Sequence, residues 1–202
     1  MIGLGGSGGS SFKLDAAPLN ATYGDNFDGT SLNAKWTRVG YIPADEVIAD
    51  SFLYVPAARA AGNYYYQAAP PGDFTVTAKG FQVSGTGVMF GPMIIDDTGA
   101  GVGVGAYNAG EGYYAFGLAA AAYGGTSQST PDLTSTVAFS GEMLWWKLRK
   151  AGGNYFASMS TNGQIWRPET AAFASGITPT RIGFGGILAT SRSFAFDWFN
   201  AQ

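Results

Sequence analysis

The sequence predicts an all-β protein: a two-sheet antiparallel sandwich preceded by an extended Gly-rich N-terminal arm. Three observations carry that expectation. Apolar and polar residues alternate with period two along several short segments, whereas the 3.6-residue spacing of an amphipathic helix is absent. Turn residues punctuate those segments, with 31 glycines and 9 prolines in 202 residues. Aromatic residues, which favour half-buried pleated surfaces, number 5 Trp, 11 Tyr and 14 Phe.

Residues 1–22 form the arm, a Gly/Ser-rich run with apolar side chains at Ile2, Leu4, Phe12 and Leu14. Such composition behaves as a flexible linker unless a neighbour orders it, so it is expected to anchor the chain to another subunit. It lacks the basic and apolar regions of a secretory signal as written. Residues 23–202 form the sandwich. Phe74 to Lys79 alternates cleanly and reads as a strand. Met143 to Lys150 and Tyr155 to Ser160 read as a hairpin around Ala151-Gly152-Gly153-Asn154. Asn162-Gly163 is a tight turn before Ile165-Trp166, and Arg181 to Leu188 and Ser193 to Phe199 are the last two strands. Ala119 to Ala122 is too short for a helix beside Gly124-Gly125. The strands number about a dozen, which favours two stacked sheets.

Composition excludes whole classes of chemistry. The chain has no histidine and no cysteine, which removes Ser-His-Asp triads, thiol nucleophiles, disulfides and ordinary zinc sites. Charged residues are 12% of the chain, about half the usual share, as suits a protein among close neighbours. The net charge is −3 and the basic residues are scattered, which argues against nucleic acid. No apolar run is long enough to span a bilayer. Gly3 to Gly8 and Gly101 to Ala106 mimic the dinucleotide fingerprint, but neither lies between a strand and a helix, so both are rejected.

Four ordered stretches resemble a known family. Asp25-Asn26-Phe27-Asp28-Gly29-Thr30-Ser31-Leu32-Asn33-Ala34-Lys35-Trp36 is similar to the opening of concanavalin A-like jelly-roll domains. Gly72-Asp73-Phe74-Thr75-Val76-Thr77-Ala78, the run Tyr155 to Trp166 and the closing Phe196-Asp197-Trp198-Phe199 resemble later strands of the same lectin and glucanase-like fold. The resemblance spans roughly residues 25–200. It implies a jelly-roll sandwich, and its hydrolase members carry paired acids of the pattern E-x-D-x-x-E. No such run occurs here. Asp45-Glu46 and Asp96-Asp97 are adjacent pairs that point to opposite faces of a strand and read as turn or edge residues. No catalytic residue is assigned, and the chain is not expected to be an enzyme.

Hard oxygen donors at Asp25, Asp28 and Asp197 could converge where first and last strands meet. Short acids in turns more often satisfy their own backbone, so no metal and no cofactor is expected. Trp36 and Phe27 should cap one end of the core, while Phe194, Phe196 and Trp198 should share a buried strand face. Trp36, Trp146, Trp166 and Trp198 are read as structural. On the strand Met143 to Lys150, Leu144, Trp146 and Leu148 face one way, and Trp145, Lys147 and Arg149 the other. Trp145 is expected as an exposed stacking platform beside two cations, Lys147 and Arg149. Tyr65 lies opposite Tyr64 and Tyr66, so at least one of the three rings faces outward, with Tyr65 the candidate, and Tyr107, Tyr113 and Tyr114 add rings beside Asn108 around a turn. These residues could hold a sugar, or they could bury against a neighbouring subunit.

Domains of the concanavalin A-like kind occur in phage tail fibres, tail tips and capsid decorations. The resemblance therefore implies a non-catalytic phage virion structural protein, made in the host cytoplasm and present as an oligomer or in many copies. Its arm would attach to other virion proteins and its sandwich would bind a host-surface glycan, with no nucleic-acid or membrane partner. A carbohydrate-binding module of a bacterial glycan-degrading system is the first alternative, and a divergent glycoside hydrolase the second.

Overall fold

The computed structural model describes residues 18–40, 46–55, 63–84, 89–107, 112–118, 132–133, 143–170, 172–174, 176–187 and 193–202. They form fourteen strands and no helix. One seven-stranded sheet runs β1(Thr37–Val39), β4(Asn63–Ala68), β13(Arg181–Ile187), β6(Met89–Ile95), β7(Gly101–Tyr107), β8(Gly112–Leu118), β9(Asp132–Leu133). The other runs β12(Phe173–Ala174), β11(Asn154–Ser160), β10(Leu144–Ala151), β5(Phe74–Ser84), β14(Ser193–Ala201), β3(Phe52–Val55), β2(Val47–Ala49). Every pairing is antiparallel. The arm residues Ile2, Leu4, Phe12 and Leu14 lie outside the described residues, as do Ala119 to Ala122.

Alternation decides which side chains meet between the sheets. Val76 and Ala78 from β5, Leu144, Trp146 and Leu148 from β10, and Tyr155, Ala157 and Met159 from β11 face Ile94, Val102, Val104, Ile182 and Phe184 of the other sheet. Phe184 sits at the centre. Its ring meets Trp36 edge-on at 4.8 Å, Phe27 at 5.5 Å and Phe196 at 4.6 Å, and stacks on Tyr65 at 5.2 Å. Trp36 and Phe27 thus close one end of the core, as expected. Asp25 fixes that end: one carboxylate oxygen accepts the Trp36 Nε1–H at 2.8 Å and the other the Phe27 backbone N–H at 2.9 Å.

Two sequence expectations fail for nameable reasons. Tyr65 faces the interior and is 0% exposed. Its hydroxyl donates to Glu46 at 2.6 Å, and Arg38, its cross-strand partner, forks onto the same carboxylate. A buried phenol needs an acceptor, and Glu46, read from sequence as a mere turn or edge acid, supplies it. Tyr64 and Tyr66 take the outer face instead, where Arg181 lies 4.7 Å over the Tyr66 ring. The second failure is in β14. Its register against β5 slips between Phe196 and Trp198, so Phe194 and Phe196 point inward, Trp198 points outward, and Phe199 and Ala201 return to the core. A bulge of one residue at Asp197 re-phases the strand.

Asp50 and Ser51 join β2 to β3 in a two-residue turn, both at positive φ (53° and 62°), as a type I′ hairpin requires. Asp96 accepts the backbone N–H of Thr98 and Ala100, serving its own turn. The Gly101 to Ala106 run is strand β7. A Cβ at Gly101 would lie 2.4 Å from the Ile94 carbonyl oxygen, so close strand approach accounts for that glycine.

Candidate functional site

The outer face of the β10 sheet carries three adjoining columns, fixed by backbone register. Trp145, Lys147 and Arg149 of β10 lie beside Lys79, Thr77 and Thr75 of β5. Trp198 and Asn200 of β14 continue the first two rows, and Gln202 pairs through its backbone with Thr75. Because the tryptophans sit at one end and the polar groups at the other, the face has a closed half and an open half.

The closed half is where Trp145 lies. Sequence parity placed it on the outer face correctly, but it is 3% exposed and forms no open platform. Trp198 packs against it at 5.2 Å with a 60° tilt, and the Lys79 ammonium lies 5.2 Å over its ring, ion-paired to Asp197. Its cover is the loop after β11, the feature that parity along one strand does not reveal. Ser158 and Ser160 are buried and donate to the carbonyls of Arg167 and Ile165, each at 2.6 Å. Asn162 Oδ1 accepts the Gln164 and Ile165 N–H groups, and Gly163 takes φ +71° directly over the indole. A Cβ there would stand 2.7 Å from Trp145 Cε2, so only glycine lets the loop close on the ring.

The same loop builds the open half. Pinned by the two serines, it returns along β11, with Arg167 N–H bonded to Met159 and Thr170 N–H to Ala157, each at 2.9 Å. Trp166 is thereby carried back over β10, where the Lys147 ammonium lies 4.2 Å from its ring centroid. Glu169 lands beside Arg149, accepting from Nε at 2.9 Å and from the terminal nitrogen as well. Arg149 in turn lies 4.1 Å over Phe156, its cross-strand neighbour. These groups border a cavity of about 240 Å³ with Thr75, Thr77, Asn200 and Gln202 as its remaining polar lining, Trp166 as its aromatic wall and the buried Trp198 at its base. A second cavity of about 270 Å³ shares Trp166 and lies against Ser160, Asn162 and Ile165.

Charge within the cavity is uneven. The hydrogen bond from Arg149 holds the Glu169 carboxyl below its ordinary range despite partial burial. Burial pushes the Lys147 ammonium below its ordinary value; the Glu169 charge opposes that and the Arg149 charge adds to it. No carboxylate lies within ion-pair distance of Lys147 among the described residues. The Trp198 indole N–H is buried and has no acceptor among them either.

Of the residues singled out from sequence, Arg149 lines this cavity. Trp145 is packed beneath the loop and Tyr65 is in the core, so neither offers a surface to a ligand. Tyr107, Tyr113 and Tyr114 belong to β7 and β8 of the opposite sheet, and Asn108 lies outside the described residues. Lys147, placed from sequence on the outer face beside Trp145, lines the cavity too; sequence reading missed Trp166, Glu169, Thr75, Thr77, Asn200 and Gln202. Trp166 is read from sequence as structural, although the Asn162-Gly163 turn three residues earlier signals a chain reversing over the sheet.

Metal ligation finds no support at the acids considered. Asp25 serves Phe27 and Trp36, Asp28 accepts from Asn26, and Asp197 pairs with Lys79. Among the described residues no three acidic side chains gather at one point.

No family model matches the chain, and no curated protein matches it in sequence. Solved structures match its fold. The GH43 protein BlXynB of Bacillus licheniformis superposes with a TM-score of 0.68 at 15% identity, over 92% of this chain and 40% of that one. A xylan β-1,4-xylosidase of Bacillus halodurans C-125 gives 0.66 at 14%, over 89% and 38%. The CBM2 module of the evolved Dit of Lactobacillus casei BL23 phage J-1 gives 0.57 at 12%, over 89% and 94%. The fold is a β-sandwich. The chain spans about 40% of the length of the GH43 proteins it matches, and nearly the whole of the phage module.

Proposed function

We propose that this chain is a non-catalytic, concanavalin A-like β-sandwich that binds a glycan on the outer face of the β10 sheet. One observation carries the reading: a cavity with Trp166 as its accessible aromatic wall, the buried Trp198 at its base, hydroxyl and amide groups on its floor, and Lys147, Arg149 and Glu169 at its edge. Aromatic faces take the apolar side of a sugar ring, while a few fixed polar groups take its hydroxyls. The cavity has room for about eight water volumes, the scale of a single sugar unit. Hydrolysis needs two carboxyl groups astride the scissile bond. The cavity lining supplies one, Glu169, and Arg149 already engages it.

The setting we favour is the surface of a phage particle, with residues 1–22 as the attachment arm and copies of the sandwich displayed outward. The near full-length likeness to a phage Dit module supports it. A second setting, a carbohydrate-binding module within a bacterial glycan-degrading system, draws on the GH43 likeness. Glycan-array binding by the wild-type chain, lost in Trp166→Ala with a stability cost of about 1 kcal/mol or less, is the expected result. Equal binding by the variant removes this face from consideration. Co-sedimentation of the chain with phage particles, against none, separates the two settings.

A further inference from the structure

We infer that the sugar bound on this face carries one negative charge, and that Lys147 is its partner. This rests on the proposed glycan site and names the class of ligand it takes. Within the cavity Arg149 and Glu169 satisfy each other in a forked pair, which leaves the site with a single surplus positive charge on a chain of net charge −3. That charge is Lys147, half-buried, held against the Trp166 ring at 4.2 Å and without a carboxylate partner among the described residues. A desolvated ammonium without a counter-ion is costly, and an anion delivered by the ligand removes that cost.

The groups around that ammonium point the same way. Thr75 and Thr77 bring hydroxyls and Asn200 and Gln202 bring amides to the lining of the same cavity. An ammonium among such groups calls for an acceptor-rich, singly charged group. Trp166 stands between this cavity and the second one, so its ring offers a surface to the neutral neighbouring unit of a chain. A uronate and a singly charged sulfate ester share this chemistry.

The test uses the full chain on an array of matched glycans: uronate-bearing oligosaccharides, the same compounds with carboxyls reduced to alcohols, and their sulfate esters. Charged members should bind about tenfold tighter than their neutral partners, the scale of one charge-assisted hydrogen bond, and the preference should shrink in 0.5 M salt. Lys147→Met should erase the preference, bringing charged members to the affinity of their neutral partners, with the melting temperature unchanged. Uronate against sulfate ester identifies which charge the site takes. Equal affinity for charged and neutral members overturns the inference and leaves the glycan site standing. A preference that survives Lys147→Met overturns the role of Lys147. Absence of any binding overturns the site and this inference together.

Discussion

Replacing Trp145 by alanine removes an indole that is 3% exposed although it lies outside the sandwich core. Complete truncation of a buried tryptophan costs about 3–5 kcal/mol through lost transfer and cavity terms. Here two contacts push toward the upper half of that range. The tilted pairing with Trp198 at 5.2 Å contributes about 0.5–1.5 kcal/mol beyond area, and the Lys79 ammonium at 5.2 Å roughly another 0.5–1. A loss near 4 kcal/mol corresponds to a fall in Tm of about 8–16 °C for a chain of this size. Thermal melting and urea titration of Trp145→Ala measure it directly. Trp166→Ala is the internal control: that ring lies over Lys147 in the open half, and its removal should cost about 1 kcal/mol or less while abolishing glycan binding. If Trp145→Ala melts within about 3 °C of wild type, the closed half of the face is not closed, and the reasoning from burial fails.

Gly163→Ala strains a φ of +71° and drives a methyl into the Trp145 ring, so it should cost about 2–3 kcal/mol and loosen the loop that carries Trp166, lowering stability and binding together. Binding at wild-type strength with normal melting would show that the loop seats itself otherwise. Burial alone would raise the Glu46 carboxyl, but hydrogen bonds from Arg38 and Tyr65 and the Arg38 charge hold it below its ordinary value of 4.5. Its stabilisation is therefore present above the ordinary carboxylate range and is lost as pH falls through the lower folded value. Glu46→Gln should make the stability profile shallower below about pH 5, and a profile parallel to wild type would refute this. Deleting residues 1–17 should leave melting unchanged and abolish incorporation into particles; unaltered incorporation would end the arm's assigned role.

Layering was legible in the sequence because alternation along one strand is a local signal. The inward set Leu144, Trp146, Leu148 and the outward set Trp145, Lys147, Arg149 followed from parity alone. Accessibility was not legible, since it depends on what a distant segment lays on top. The loop after β11 buries Trp145, and no feature of Met143 to Lys150 announces it. Tyr65 was misplaced for a related reason. Parity separated it from Tyr64 and Tyr66, but only Glu46, nineteen residues away, made the interior tolerable for its hydroxyl. The cavity itself draws on β5, β10, β14 and the loop at once, a convergence visible only after folding.

The slipped residue at Asp197 gives β14 two successive phases. Even-numbered rings feed the interior up to Phe196, and odd-numbered ones from Phe199 onward. Were the same residues to alternate without that bulge, Trp198 would swing inward and Phe199 outward, whereas deleting Asp197 would remove the bulge and leave both rings on the faces they now occupy. Homologues can therefore be sorted by the length of this strand as well as its pattern: those that keep the extra residue must keep the bulge to hold the indole on the outer face, and those one residue shorter hold it there without one.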